Sequence, residues 1–371
     1  MVFGGPSPEH DVSVLTGLQA ARELADSLSH TVRALYWSKS GDWFEVADDL
    51  EAMDFLDGVP KGAAPCQLVV GRGGGFFKEA KRILGARVGI PLESVVVCCH
   101  GGPGEDGSLQ GALELAGVRF AGPTVAGAAL GMDKLAFAAV VSGAGLAVLP
   151  RLPLDSNLAR PSLQGPCIVK PRFGGSSIGI EVVADISSAL DLAAANPHLR
   201  SGAVVEPYRK DLFDLQIAVR SWPSLELSAI ERPLRDVAGG AGSQSEFLGY
   251  HDKYVGGEGM VSAPRELPAR VSSGLRSAIQ DAALHIARLT SVRGVARVDF
   301  LSDGDQLFVN ELNTVPGSLA RYLWVDPAIP FSTLLRDLLD EAAHRPTRSP
   351  LSLGADGSVL RSASPVAAKL A

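Results

Sequence analysis

The clearest alternation of apolar and polar positions lies near the C-terminal end of the chain. Residues 296–313 read as two strands joined by the turn signal Asp303-Gly304-Asp305. Strand-like runs at 31–35, 67–70 and 95–99 alternate with helical stretches, the first helix running to about residue 25. That order predicts a small parallel-sheet unit over 1–123. A second unit, 124–206, holds a helix around Met132-Asp133-Lys134-Leu135, a strand over 167–171 and an extended segment at 204–208. The third unit, 207–345, contains the hairpin and helices predicted at about 268–289 and 330–344. Residues 346–371 are rich in Pro, Ser and Ala without periodicity and are expected to form a mobile tail. The predicted class is α/β, with a parallel-sheet N-terminal unit followed by two α+β units.

A chain of 371 residues is long enough for two or three cores, and 46% hydrophobic with 20% charged residues is the balance of a globular enzyme. The formal net charge of −7 argues against nucleic-acid binding, which needs a clustered basic surface. No long apolar run free of Gly, Pro or charge is present, so no membrane span is expected, and the N-terminus lacks the pattern of a signal peptide. Cytoplasm is the expected compartment. Cys66, Cys98, Cys99 and Cys167 are too few for a disulfide framework, and neighbouring strand residues such as Cys98 and Cys99 point to opposite faces, so buried thiols are expected.

If the hairpin loop has an odd number of residues, cross-strand partners share a side, and Arg297, Asp299, Glu311 and Asn313 fall on one face. Three oxygen ligands beside a cation suit Mg2+, which keeps waters and draws further ligands from substrate phosphates. A solvated hairpin with scattered charges fits the same pattern. Upstream, Lys170 ends a strand that leads into Gly174-Gly175-Ser176-Ser177-Ile178-Gly179. Such a loop suits a lid over nucleotide phosphates, with Lys134 and Lys170 as counter-charges, and it equally suits an ordinary hairpin turn. The extended segment at Glu206-Pro207-Tyr208 offers backbone groups to a base edge and a ring to cover it. Glycines after His100, in His100-Gly101-Gly102-Pro103-Gly104-Glu105-Asp106-Gly107, let backbone amides approach a ligand beyond a strand end.

Taken in order, five motifs resemble the D-alanine:D-alanine ligase family of the ATP-grasp superfamily over roughly residues 2–345. They are Gly4-Gly5-x-Ser7-x-Glu9, His100 to Gly107 followed by Gln110-Gly111, Asp133-Lys134, Lys170-Pro171 with the 174–179 loop, and Arg297-x-Asp299 with Glu311-x-Asn313-Thr314-x-Pro316-Gly317. The resemblance implies a three-domain ATP-grasp fold whose central and C-terminal domains clamp ATP. It implies ATP-dependent joining of two amino acids through an acyl phosphate, for peptidoglycan precursor synthesis, by a homodimer using two Mg2+ ions, with Mn2+ as an alternative. It also implies roles by position. Asp299, Glu311 and Asn313 would hold metal, while Lys134, Lys170 and Lys253 would face phosphate. Gly175, Ser176, Ser177, Glu206, Tyr208 and Asp214 would contact the nucleotide. Glu9 would receive the ammonium of the first substrate with His100 nearby, Ser176 and Tyr254 would join Glu9 in a latch, and Arg297 with the Gly317 amide would stabilise an oxyanion.

Two departures stand out. Asp214 replaces the usual ribose-binding glutamate, and Tyr322 occupies the place of a serine that binds the carboxylate of the second amino acid. A bulky phenol cannot reproduce a small hydroxyl there, while the neighbouring Arg321 offers charge pairing instead. Retention of Tyr254, where lactate-using relatives tend to have phenylalanine, favours an amine nucleophile. Alternatives are therefore a ligase with a different carboxylate or amine, and a nucleotide-binding regulator without chemistry. The intact set Lys134, Lys170, Arg297, Asp299, Glu311 and Asn313 argues against the regulator.

Overall fold

The computed structural model describes residues 1–27, 31–79, 88–155, 163–234, 264–345 and 352–362. The chain enters as β1 (Val2–Gly4) and passes into α1 (His10–Ser27), whose Val14, Leu18, Ala21 and Leu24 recur at helical spacing and are buried. β1 pairs in parallel with β2 (Ala34–Trp37). On its other side it bridges Val97 in parallel, next to the parallel pair β7 (Val95–Val96) and β8 (Phe120–Ala121).

Between these, the expected parallel pattern gives way to an antiparallel meander. β2, β3 (Trp43–Val46), β4 (Ala64–Val69), β5 (Gly75–Lys78) and β6 (Val88–Gly89) pair each with the next in antiparallel fashion. The run at 67–70 is thus part of β4 and not a parallel strand. Connection length decides this: only residues 38–42 separate β2 from β3 and only 70–74 separate β4 from β5, far short of the dozen or so residues that a parallel crossover needs.

Helices α2 (Gly102–Glu105), α3 (Ser108–Leu115) and α4 (Val125–Met132) lead to α5 (Lys134–Gly143). The predicted helix around residue 133 is two helices that meet at Asp133. Its extended backbone ends α4, and its carboxylate accepts from the amides of Leu135 and Ala136 at 3.1 Å each, capping α5 and placing Lys134 at its first position. An antiparallel four-stranded sheet follows, in the order β11 (Glu181–Val183), β10 (Cys167–Pro171), β12 (Ala203–Pro207), β9 (Leu152–Leu154), backed by α6 (Ile186–Ala195).

The last sheet is also antiparallel, in the order β15 (Arg265–Glu266), β14 (Glu226–Pro233), β13 (Phe213–Arg220), β16 (Val295–Ser302), β17 (Leu307–Asn313). Its back packs on α7 (Ser273–Leu289), where Leu275, Ile279, Ala282, Ala283 and Ile286 form the buried stripe. The prediction began α7 at about 268; Ser272, which accepts from the Leu275 amide at 3.2 Å, sets the true start. α8 (Phe331–His344) returns to the first layer, and its Leu334, Leu335 and Leu338 join Phe3, Leu18 and Leu24 in one core. Each such leucine contributes about 1.5–3 kcal/mol on burial. The C-terminal segment includes one helical turn at Ser358–Arg361.

Because α1 follows directly on Glu9 and carries Thr16, its seat on β1 matters. Gly17 faces Phe3 so closely that an added Cβ would overlap the Phe3 Cβ, an atom that cannot swing aside. Gly17→Ala is expected to cost about 1–3 kcal/mol by overpacking, read as a lower denaturation midpoint at unchanged slope.

Candidate active site

The acidic face of the hairpin forms, but not by the expected route. The loop between β16 and β17 spans residues 303–306, an even number, which by parity alone would set Glu311 on the far side from Asp299. A bulge restores it. Phe300 pairs with Val309 while Asp299 pairs with Glu311 and Arg297 with Asn313, so Asn310 is the extra residue. Gln216 of β13 continues the row, pairing with Asp299 on one side and Glu231 on the other.

Within this face Arg297 donates to both Asp299 oxygens, Nε at 2.7 Å and Nη2 at 2.8 Å, and Asn313 Nδ2 donates to Asp299 Oδ2 at 3.1 Å. Among the described residues no group of three or more histidine, cysteine or carboxylate side chains makes a closed metal cage. The donor set Asp299, Glu311 and Asn313 is all hard oxygen, and Asp299 and Glu311 line a cleft. It therefore fits a cation that takes its other ligands from phosphate and water.

Across the cleft lies the four-stranded sheet. Ile168 pairs with Glu206, so Lys170, two residues on, shares the Glu206 side. Lys134, Lys170, Glu206, Tyr208, Asp214 and Glu311 line one cavity with Gly175, Ser177 and Asp299. Lys134 donates to the Gly174 carbonyl and stands 3.9 Å from Glu311; burial pushes its ammonium down, partly offset by that carboxylate. Lys170 Nζ donates to Glu206 Oε2 at 2.9 Å. Burial alone would push the Glu206 carboxyl up, but the charges of Lys170 and Arg151 outweigh it and hold it below its usual range.

At the first layer, Glu9 is buried and accepts from the Ser176 hydroxyl, so lid and helix start are joined. Ser176 and Ser177 hold this with φ of 52° and 58°, a left-handed turn costing about 1–2 kcal/mol per residue. Gly101 and Gly175 flank the carboxylate; a Cβ on Gly175 would lie 3.1 Å from both oxygens, and one on Gly101 would overlap Oε2.

His100 does not face an open site. The Val315 carbonyl can only accept, so Nδ1 donates to it at 2.6 Å, and Nε2 accepts from the Thr16 hydroxyl at 2.8 Å. Thr16 in turn accepts from the Ser318 amide at 3.0 Å. Glu105 completes the clamp, accepting from the amides of Gly101, Thr314 and Val315 at 2.9–3.1 Å. Burial and the Glu9 charge hold the Glu105 carboxyl above its usual range.

The clamped segment runs into a left-handed turn after the buried Gly317: Ser318, Leu319 and Ala320 have φ of 50°, 49° and 51°. Tyr322 is buried there, its hydroxyl 3.4 Å from Arg297 Nη1 and its ring under Arg265 at 4.9 Å. Arg321 turns the other way, its guanidinium 5.6 Å from the Phe331 ring, and is not among the residues lining the cleft. Lys253 and Tyr254 lie outside the described residues.

Thr16, Arg151 and Asn310 escaped sequence reasoning, and Glu105 had no assigned role. Glu105 sits inside a quoted motif and was within reach, whereas an isolated arginine at 151 carries no sequence signal, and a bulge cannot be read from alternation alone.

Burial, with Arg297 adding, pushes the His100 imidazole from 6.5 down to about 4, against the bond to Val315. Between those values the unfolded chain holds a proton that the folded chain excludes, so stability is lost as pH falls. The His100 share of the pH dependence is a loss of about 2 kcal/mol from about pH 7 to pH 5, and Glu105, held above its usual range, contributes in the opposite sense. The His100 share is read by denaturant titration as the difference in slope between the parent and His100→Gln, and identical slopes would contradict the neutral imidazole.

The comparisons agree over both ends of the chain. A family model described as D-ala D-ala ligase N-terminus matches residues 1–123, and D-ala D-ala ligase C-terminus matches 156–340. The D-alanine–D-alanine ligase of Mycolicibacterium gilvum is 32% identical over 372 residues, covering 94% of this chain and 97% of the relative. Among solved structures, the D-alanine–D-alanine ligase of Coxiella burnetii superposes with a TM-score of 0.73 at 22% identity, covering 92% of both chains. The D-Ala:D-Ser ligase of Enterococcus faecalis gives 0.70 at 25%, covering 92% of this chain and 98% of that one. With two family models spanning most of its length and a relative 32% identical over nearly the whole chain, the chain belongs to the D-alanine–D-alanine ligase family.

Proposed function

We propose that this chain joins two molecules of D-alanine at the expense of ATP, supplying a dipeptide for peptidoglycan. The observation that carries the reading is the facing of Asp299 and Glu311, with Asn313 on the same sheet face, by Lys134 and Lys170 across one cleft, with Glu9 and Ser176 joined beside Gly175 and Ser177 of its lining. A carboxylate is a poor electrophile, so the first D-alanine is phosphorylated by ATP, and the amine of the second displaces phosphate through a tetrahedral intermediate.

Each residue then has a task. Lys134 and Lys170 neutralise phosphate oxygens, while Glu206, Tyr208 and Asp214 hold the nucleoside and Gly175 and Ser177 cover the phosphates. Glu9 receives the ammonium of the first D-alanine and, latched by Ser176, fixes its carboxylate toward the phosphates. Arg297, pre-aligned by Asp299, and the Gly317 amide meet the oxyanion; losing such a donor costs about 3 kcal/mol. When bound, Mg2+ at Asp299, Glu311 and Asn313 supplies charge neutralisation of the phosphates, and two ions are proposed. Tyr254 is assigned to the latch and Lys253 to phosphate on family resemblance. The same resemblance supports boundaries near residues 123 and 206 and a homodimer, and ATP supply favours the cytoplasm.

A second reading keeps the chemistry and changes the acceptor. Tyr322 fills the place expected of a small hydroxyl and is fixed between Arg297 and Arg265. That favours an amine other than D-alanine as second substrate, with His100 holding the wall and not the ligand.

Phosphate release from ATP should appear with D-alanine alone. Release only when another amine accompanies it supports the second reading, and none with any amino acid despite nucleotide binding would defeat both. Arg297→Lys loses the two-pronged bond to Asp299 and is expected to lower kcat about 100-fold while ATP is still bound.

A further inference from the structure

Glu206 is 1% exposed and carries two cations where one would balance it. Arg151 Nε donates to Oε1 at 2.5 Å, and Lys170 Nζ donates to Oε2 at 2.9 Å. The two partners are held very differently. Arg151, with a side chain 3% exposed, also donates to the Lys134 carbonyl at 2.9 Å and to the Asn310 carbonyl at 3.0 Å, so three elements fix its planar fork. Among the described residues Lys170 reaches only Glu206 and, at 3.3 Å, Asn310 Oδ1, from a flexible stem. Lys170 lines the cleft and Arg151 does not.

A buried carboxylate cannot surrender its only counter-ion without a large penalty, because the charge left behind is neither solvated nor paired. With a second, immovable cation in place it can. We propose that Arg151 is a positioning residue for the nucleotide: as the standing counter-ion of Glu206, it frees Lys170 to transfer its charge to a phosphate oxygen. This rests on the reading that Lys170 meets phosphate in the bound state. Without Arg151, Lys170 stays committed to Glu206 and nucleotide binding weakens. By the same logic, taking the charge off Glu206 makes Arg151 dispensable. A packing role alone would not produce that rescue.

The test is equilibrium binding of the β,γ-imido analogue of ATP with Mg2+, measured by calorimetry on the full chain. Arg151→Gln is expected to raise Kd about tenfold or more. The double variant Arg151→Gln/Glu206→Gln should bind within about threefold of Glu206→Gln alone. Additive losses in the double variant, or parental binding by Arg151→Gln, would overturn the proposal. Should Arg151→Gln fail to fold, the double variant still decides, since weaker binding than Glu206→Gln alone refutes the idea. Lys170→Met separates the two levels. Parental binding by Lys170→Met defeats the phosphate reading and this inference together, whereas weakened binding beside a parental Arg151→Gln defeats the inference only.

Discussion

One extra residue in β17 underlies the chemistry of the cleft. Asn310 breaks the register of the C-terminal hairpin, and everything beyond it, Glu311 and Asn313 included, changes face. The bulge also turns the Asn310 carbonyl to Arg151 and its side-chain oxygen to Lys170. A single backbone irregularity therefore both gathers the oxygen ligands on one side and anchors the cations opposite. Removing the irregularity would leave every residue identity intact and the site in two halves.

The other organising constraint is that charges here are buried and must be matched. Arg297 with Asp299, and Arg151 and Lys170 with Glu206, are closed arrangements in which each carboxylate is already answered. Glu105 and His100 apply the same rule to the backbone. They occupy the amides and the carbonyl of 314–315 and, through Thr16 on α1, tie the helix that follows Glu9 to the loop carrying Gly317. The first layer and the loop after the last sheet meet through hydrogen bonds of fixed direction.

How much of this could be read beforehand depended on whether the signal was local. The strand carrying Lys170 and the helix stripe of α7 are local, and they stand as the periodicity suggested, whereas the donors of 297–313 share a face only through a bulge that alternation does not show. The antiparallel meander of β2 to β6 was missed although its short connections were visible, because apolar runs of this length do not declare their direction. His100 was assigned to substrate contact, yet its partners, Thr16 and Val315, lie 84 and 215 residues away along the chain. Arg151 is the extreme case, since its meaning comes wholly from three elements that fold around it.

Glu9 is seated between two glycines, so the walls of its niche are made of side chains that are not there. Such a niche can be altered only by addition: a Cβ on Gly101 overlaps the carboxylate and one on Gly175 crowds it at 3.1 Å, so even the smallest side chain at either wall displaces Glu9.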